Sequence, residues 1–205
     1  MGMEWLDIAK QIQSIAQAGL SFSDNKYDID RYLQLKDISL KMINEVTDIK
    51  IEKLYNIFSA EKGYQTPKVD VRGVVFRGKK ILMVKETIDG RWSVPGGWAD
   101  VGLTPFQVAE KEVLEEAGLV VESKRLLAVL DKRSHAHPPD LFHIYKIFIL
   151  CNEKSGSLKP GMETSQVAFF GNDELPPLST TRITTEQIEM LFNFRNHPDN
   201  YAICD

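Results

Sequence analysis

Cysteine is scarce in this chain of 205 residues: Cys151 and Cys204 are the two present. They are too few for a disulfide framework, and neither has a CxxC neighbour or a zinc-ligand partner. Long apolar runs are also missing, none approaching the ~20 residues that a helical membrane span needs. Positive charge is not in excess, since 25 Lys and Arg face 29 Asp and Glu for a net charge of −4. No global basic field is therefore available to hold nucleic acid or an anionic membrane. The opening Met1-Gly2-Met3-Glu4-Trp5 lacks the basic and long apolar regions of a signal peptide. Leu6 stands where a myristoylation site requires Ser or Thr. These absences point to a soluble protein of a reducing cytoplasm, with no membrane partner.

What is present is ordinary globular composition, 43% apolar and 26% charged, enough for a buried core. Two regions differ in period. Residues 4–60 read as helical, with Ile8, Ile12, Ile15 and Ala16 on one face, then Tyr32, Leu35, Ile38, Met42 and Val46 on a longer helix capped by Asp28. Ile51, Leu54, Tyr55 and Phe58 suggest a third helix, and Gly63–Pro67 reads as a linker. A helical segment of 1–63 is short for an independent core. The expectation is that it packs on the second domain or on its own copy in a homodimer.

From residue 67 to 205 the period turns towards two. Val69–Phe76 and Lys80–Val84 read as a hairpin, with further strands at Leu126–Asp131, Leu141–Cys151 and Gln166–Phe170. Helices are expected at Pro105–Ala117 and Thr185–Arg195. The fold class is α+β, a mixed sheet between helices preceded by a small all-helical domain.

The chemistry concentrates in one helix. Thr104 with Gln107 forms a capping-box pattern, Pro105 takes the first helical position, and Gly118 supplies a left-handed end. At 100° per residue Phe106, Ala109, Val113 and Ala117 share the arc expected to face the sheet, and Glu112, Glu115 and Glu116 share an arc beside it. Like charges at this spacing cost a helix about 0.2–0.5 kcal/mol per pair, and the dipole disfavours acids near the C-terminus. A cation should compensate, and carboxylate oxygens suit Mg²⁺, or Mn²⁺. Magnesium commonly shares itself with substrate phosphates, which implies phosphoryl or pyrophosphoryl hydrolysis.

Gly97, Glu112, Val113, Glu115, Glu116, Gly118 and Leu119 stand at the places of the Nudix box, and the stretch resembles that family. Two positions depart: Leu103 replaces a Glu and Lys111 an Arg. In the family these residues help hold the loop against the helix. A hydrophobic staple between Leu103 and Val108 is the expected substitute. Gly96 and Gly97 let the backbone approach a metal or ligand, so Gly96 joins Glu112, Glu115 and Glu116 as a metal-site candidate. The resemblance also implies that Glu163, in a loop, completes the metal site or acts as general base, with Glu115 and Glu116 as catalytic carboxylates. Arg72, Lys85, Trp98 and His135 are the candidate substrate-binding residues, with packing beneath the loop the preferred reading of Trp98. The His135–His137 pair lacks a second ligand pair for zinc.

The helical segment with Asp28–Tyr32, together with Asp131–Arg133 and the His135–Ile149 stretch, resembles the Nudix branch with an N-terminal helical domain. That branch implies a pyrophosphatase of nucleoside-diphosphate-linked small molecules, CDP-choline first and ADP-ribose second. RNA end processing and a non-catalytic regulator are the alternatives. Acidic charge weighs against the former, and three intact glutamates weigh against the latter.

Overall fold

The computed structural model describes residues 2–59 and 61–205. It divides into two compact units, one running to Pro67 and including Pro139–Phe142, the other made of Lys68–Pro138 and His143–Asp205. The first therefore takes four residues that lie far along the sequence from its helices.

The helical unit contains α1 (Gly2–Phe22), α2 (Lys26–Val46) and α3 (Ile51–Ser59). Asn25, and not Asp28, caps α2: its side chain accepts from the Tyr27 N–H at 2.9 Å. Asp28 falls in the first turn, where the helix dipole favours an acid. Leu6, Ala9, Leu40, Ile43, Leu54 and Phe58 form the core, and Leu141 and Phe142 pack on it. The buried stripe of α1 is rotated from the expected one, because Ile15 is exposed while Gln13 and Gln17 are buried. The two amides satisfy each other at 2.9 Å, and Gln17 also donates to the Gly63 carbonyl at 3.0 Å. A hydrogen-bonded amide pair can take a buried place that an unpaired one cannot.

The second unit is built on β1 (Lys68–Arg77), β2 (Lys80–Glu86), β3 (Trp92–Ser93), β4 (Gly96–Trp98), β5 (Leu119–Asp131), β6 (Ile144–Gly156), β7 (Thr164–Gly171) and β8 (Ile203–Cys204). The strand order is β3-β2-β1-β6-β5-β8, with β4 also on β1 and β7 on β2. Pairings β1–β6 and β5–β8 are parallel and the rest antiparallel, so the sheet is mixed as expected. Strand β5 begins at Leu119 and not at Leu126, and irregularities at three points along its pairing with β6 break its alternation.

Each face carries one helix. On one side α4 (Pro105–Ala117) buries Val108, Ala109, Val113 and Ala117 against Val71, Val75, Leu82 and Val84. On the other, α5 (Thr185–Asn196) buries Ile188, Leu191, Phe192 and Phe194 against Val74, Ile81, Met83 and Leu127. Each such side chain contributes roughly 1.5–3 kcal/mol when fully buried. Phe106, expected on the buried arc, is exposed in the first turn of α4, and Val108 takes the inner position. Gly73 lets α4 sit directly on β1: a Cβ there would lie 2.4 Å from a Val113 methyl and 3.1 Å from the Ala109 carbonyl.

Candidate active site

Helix α4 starts and stops where its signals place it. Thr104 accepts from the Gln107 N–H at 3.3 Å, and the Gln107 side chain accepts from the Thr104 N–H at 2.9 Å. Gly118 closes the helix in the left-handed region at φ 73° and donates to the Leu114 carbonyl at 3.0 Å. Further carbonyls at this end are taken by the following loop. Lys159 N–H donates to Ala117 O at 3.0 Å, and the Thr164 hydroxyl donates to Glu116 O at 2.9 Å. The loop bearing Glu163 is thereby tied to the helix bearing the other glutamates.

Glu116 is buried and accepts a 2.9 Å hydrogen bond from the Gly96 N–H. Burial pushes its carboxyl up to about 7, with Glu86 and Glu112 adding to the rise, while Arg72 and the Gly96 N–H act against it. Gly96 lies at φ 148°, and a Cβ there would sit 2.1 Å from the Val71 carbonyl, so a side chain at this turn is excluded. Glu112 is the next inward carboxylate, its side chain 13% exposed against 58% for Glu115. Burial raises its carboxyl as well, opposed by Lys111. A Cβ on Gly97 would stand 3.1 Å from Glu112 Oε2, so the glycine backbone lies open to that oxygen.

Lys111 supplies the compensating cation. Its Nζ lies 3.0 Å from Glu115, 3.2 Å from Glu112 and 3.3 Å from Asp100, and these partners hold its ammonium above the usual range. The contact to Asp100 ties the glycine loop to the helix ionically. The expected staple is not what the structure uses: Leu103 is 37% exposed while Val108 is fully buried, so the pair does not remove both side chains from water.

Arg72 was expected to face substrate, and it lies beneath the site. Its Nε donates to Asp70 at 2.9 and 3.2 Å, and its Nη1 donates to Ser93 Oγ and to the Val94 carbonyl at 3.3 and 3.2 Å. Lys146 of β6 pairs with the same Asp70, which the two cations hold at about 2 despite its burial. Arg72 therefore braces the turn that carries Gly96. Lys85 is half-buried between Trp92 and Gln166. Trp98 pairs with Asp70 on β4 and is 52% exposed, so its ring does not fill the space under the loop. Glu163 is exposed, and its carbonyl accepts from the N–H and hydroxyl of Thr87 at 3.0 and 2.9 Å. His135 is placed elsewhere, with Nε2 3.0 Å from Asp205 and the charge of Glu186 nearby. The neighbouring His137 is buried and pushed down to about 4, its Nδ1 donating to Thr180 O at 2.7 Å.

Two buried carboxylates, Glu86 and Asp70, are not singled out by the sequence. Glu86 is buried at the end of β2, paired with Arg182 at 3.0 Å, and raised by burial with Asp89 and Glu163 adding. It was missed because the expected strand ended at Val84. Asp70 stands two residues before Arg72 inside an apolar strand, a spacing that marks a buried charge pair, whereas Lys146 comes from β6 and has no local signal.

The donor set fits a hard divalent cation. Two inward carboxylates, Glu112 and Glu116, are both raised by burial, Glu112 adding to the rise of Glu116, and both lie beside glycine backbone. Among the described residues no three His, Cys, Asp or Glu side chains are gathered into a closed cage.

Known proteins match both units. A family model described as "UDP-X-like, N-terminal oligomerisation domain" covers residues 3–58, and the NUDIX domain model covers residues 66–194. The "Putative ADP-ribose pyrophosphatase YjhB" of Bacillus subtilis is 48% identical over 98% of this chain and 97% of its own length. An ADP-ribose pyrophosphatase structure from Streptococcus suis is 41% identical at a TM-score of 0.63, over 68% of this chain and 100% of that one. A UDP-X diphosphatase structure is 29% identical at a TM-score of 0.64, over 100% of this chain and 99% of that one.

Proposed function

The chain belongs to the NUDIX family and is a Nudix pyrophosphohydrolase, and on that premise we propose that it hydrolyses ADP-ribose in a magnesium-dependent reaction. The reaction class rests on one observation, the Gly96 N–H held to buried Glu116 with Glu112 beside it. The choice of ADP-ribose is supported by the similarity to the Bacillus and Streptococcus proteins and moves it ahead of CDP-choline, the sequence reading's first choice. The full-length likeness to a UDP-X diphosphatase, helical unit included, favours a UDP-linked conjugate as the second reading.

Glu112 and Glu116 would hold the cation, with the Gly96 backbone and Glu163 at its border. When bound, Mg²⁺ supplies charge neutralisation at the pyrophosphate. Gly96 fixes the rotamer of Glu116 through its N–H, and Arg72 keeps the turn in place through Val94. Glu163, an exposed carboxylate on a loop anchored by Thr87 and Thr164, would accept the proton of the attacking water, and Glu115 stands in reserve beside Lys111. Trp98 offers an exposed ring to a base, and Lys85 a cation.

Residues 1–63 form the proposed assembly domain, joining two copies, and 67–205 the hydrolase domain. Among the described residues no helix is long and apolar enough to cross a membrane; a cytoplasmic setting is part of the proposal. Phosphorus NMR of ADP-ribose, UDP-linked sugars and CDP-choline incubated with protein and Mg²⁺ tests the reading. AMP and ribose 5-phosphate are the expected products; turnover of none of these conjugates rejects it.

A further inference from the structure

The loop ahead of α5 carries Arg182, whose side chain pairs with Glu86. Trp92 N–H donates to Pro177 O at 3.0 Å, and Ser179 N–H donates to Trp92 O at 2.8 Å. The Ser179 hydroxyl donates to Asp89 at 2.7 Å, and Arg182 N–H closes a turn on Ser179 O at 2.8 Å. Ile183, fully buried, pins the next residue into the core. Four tethers and a buried neighbour thus fix where the backbone of Arg182 stands.

That place is beside the glutamates. Arg182 Nε lies 3.0 Å from Glu86 Oε1, and Glu86 is opposite Thr164 in the β2–β7 register. Thr164 bonds the carbonyl of Glu116, and the carbonyl of Glu163 is held by Thr87. One buried carboxylate therefore separates Arg182 from the loop that carries Glu163, and the charge of that carboxylate acts on Glu116. Glu86 Oε1 has no hydrogen bond, so the contact is a charge pairing without an aligned N–H. It restrains the guanidinium without locking its fork. The guanidinium makes no hydrogen bond to the described residues, its charge also acts on Asp89, and the side chain is 28% exposed.

The site's charge balance shows what those donors are for. Glu86, Glu112, Glu115, Glu116 and Glu163 border a place where a pyrophosphate brings further negative charge. Lys111 is consumed by three carboxylates, Arg72 is buried on Asp70, and half-buried Lys85 offers a point charge without a fork. Arg182 combines an exposed face with unused donors, and a guanidinium fork matches phosphate oxygens. We propose that Arg182, positioned by Glu86, binds the pyrophosphate of the substrate. This rests on the pyrophosphatase reading and adds a substrate-binding residue to it.

Calorimetric titration with imidodiphosphate, a pyrophosphate that carries no base or sugar, tests the assignment in the presence of Mg²⁺. Arg182→Ala should weaken its binding on the order of 10- to 100-fold, the effect of a charge-assisted hydrogen bond. Arg182→Lys should recover part of the loss, because it keeps the charge without the fork. Should the alanine variant melt at room temperature, Arg182→Gln replaces it. Binding within two-fold of the parent overturns the proposal. So does an equal loss in the Lys and Ala variants accompanied by equal falls in melting temperature, which marks a structural role. Absence of binding to the parent overturns it too. Hydrolysis of the conjugate panel by the parent protein decides the pyrophosphatase reading separately.

Discussion

The Gly96 N–H and the Glu116 carboxylate meet at 2.9 Å across twenty residues of chain, which makes one backbone donor responsible for the orientation of one buried acid. Replacing Glu116 by Gln keeps the size and removes the charge, and turnover should fall at least ~100-fold if electrostatics dominate. Gly96→Ala should fall as far by another route, since its Cβ would collide with the Val71 carbonyl. Steady-state rates with Mg²⁺ check both. Near-parental turnover of Glu116→Gln removes that residue from the site.

Lys111 pairs with Glu112, one of the two proposed cation ligands, and with Glu115. Lys111→Ala should therefore lower the melting temperature in metal-free buffer and enlarge the rise that Mg²⁺ produces. Thermal scans across a Mg²⁺ series give both numbers. An unchanged metal-induced rise means that Lys111 does not compete.

Leu103 is exposed, and it lines a shallow groove together with Lys111 and Gln107. Leu103→Glu places an acid in the same groove as that cation, so it should melt within a few degrees of the parent and remain active. Leu103→Ala should also be mild. A loss of more than about 2 kcal/mol in the alanine variant by denaturant titration would restore the apolar staple, because only a well-buried side chain contributes that much.

Asp70 gives the fold an acid limit. Its folded value of about 2 lies below the ordinary 3.8, so its stabilisation is present above pH 3.8 and is lost as pH falls towards 2. The loss is on the order of 2 kcal/mol. Asp70→Asn should flatten melting temperature against pH in that window. It should also lower stability at neutral pH, since Arg72 and Lys146 stay buried without their anion. A parallel pH profile in the variant excludes Asp70 as the source.

Trp5, Ile38, Met42 and Val46 line an apolar groove of about 400 Å³ on the helical unit. If that unit joins two copies, Trp5→Glu should shift the mass seen by light scattering towards one chain. Removal of 1–63 should cause aggregation, because Leu141 and Phe142 lose the cluster they pack on. A well-behaved truncated monomer, with a full-length chain of the same state, rules the interface out.

Helix α4 was legible at both ends because Thr104, Gln107, Pro105 and Gly118 act through their immediate neighbours. The arc shared by its glutamates followed from their spacing, and their place in the Nudix box from the resemblance. Strands β3, β4 and β8 were not legible: each has two or three residues, too few to show a period. The start of β5 was hidden because its irregular register disrupts alternation, and Leu119 reads equally as the end of a helix motif. Partnerships at long range escaped altogether. Nothing local to Glu86 announces Arg182, ninety-six residues onward, and nothing local to Arg72 shows that its charge is spent on Asp70 and not on a ligand.

Val113 fills the gap left by the missing side chain of Gly73, and this acts like a key in a slot. A smooth apolar seam would let the helix roll about its axis at small cost. With the methyl seated against bare strand backbone, roll is coupled to lift, and the carboxylates on the adjoining arc inherit a fixed azimuth over the glycine turn. The directional accuracy of the acids is thus set from below by two uncharged residues, neither of which touches a metal or a phosphate.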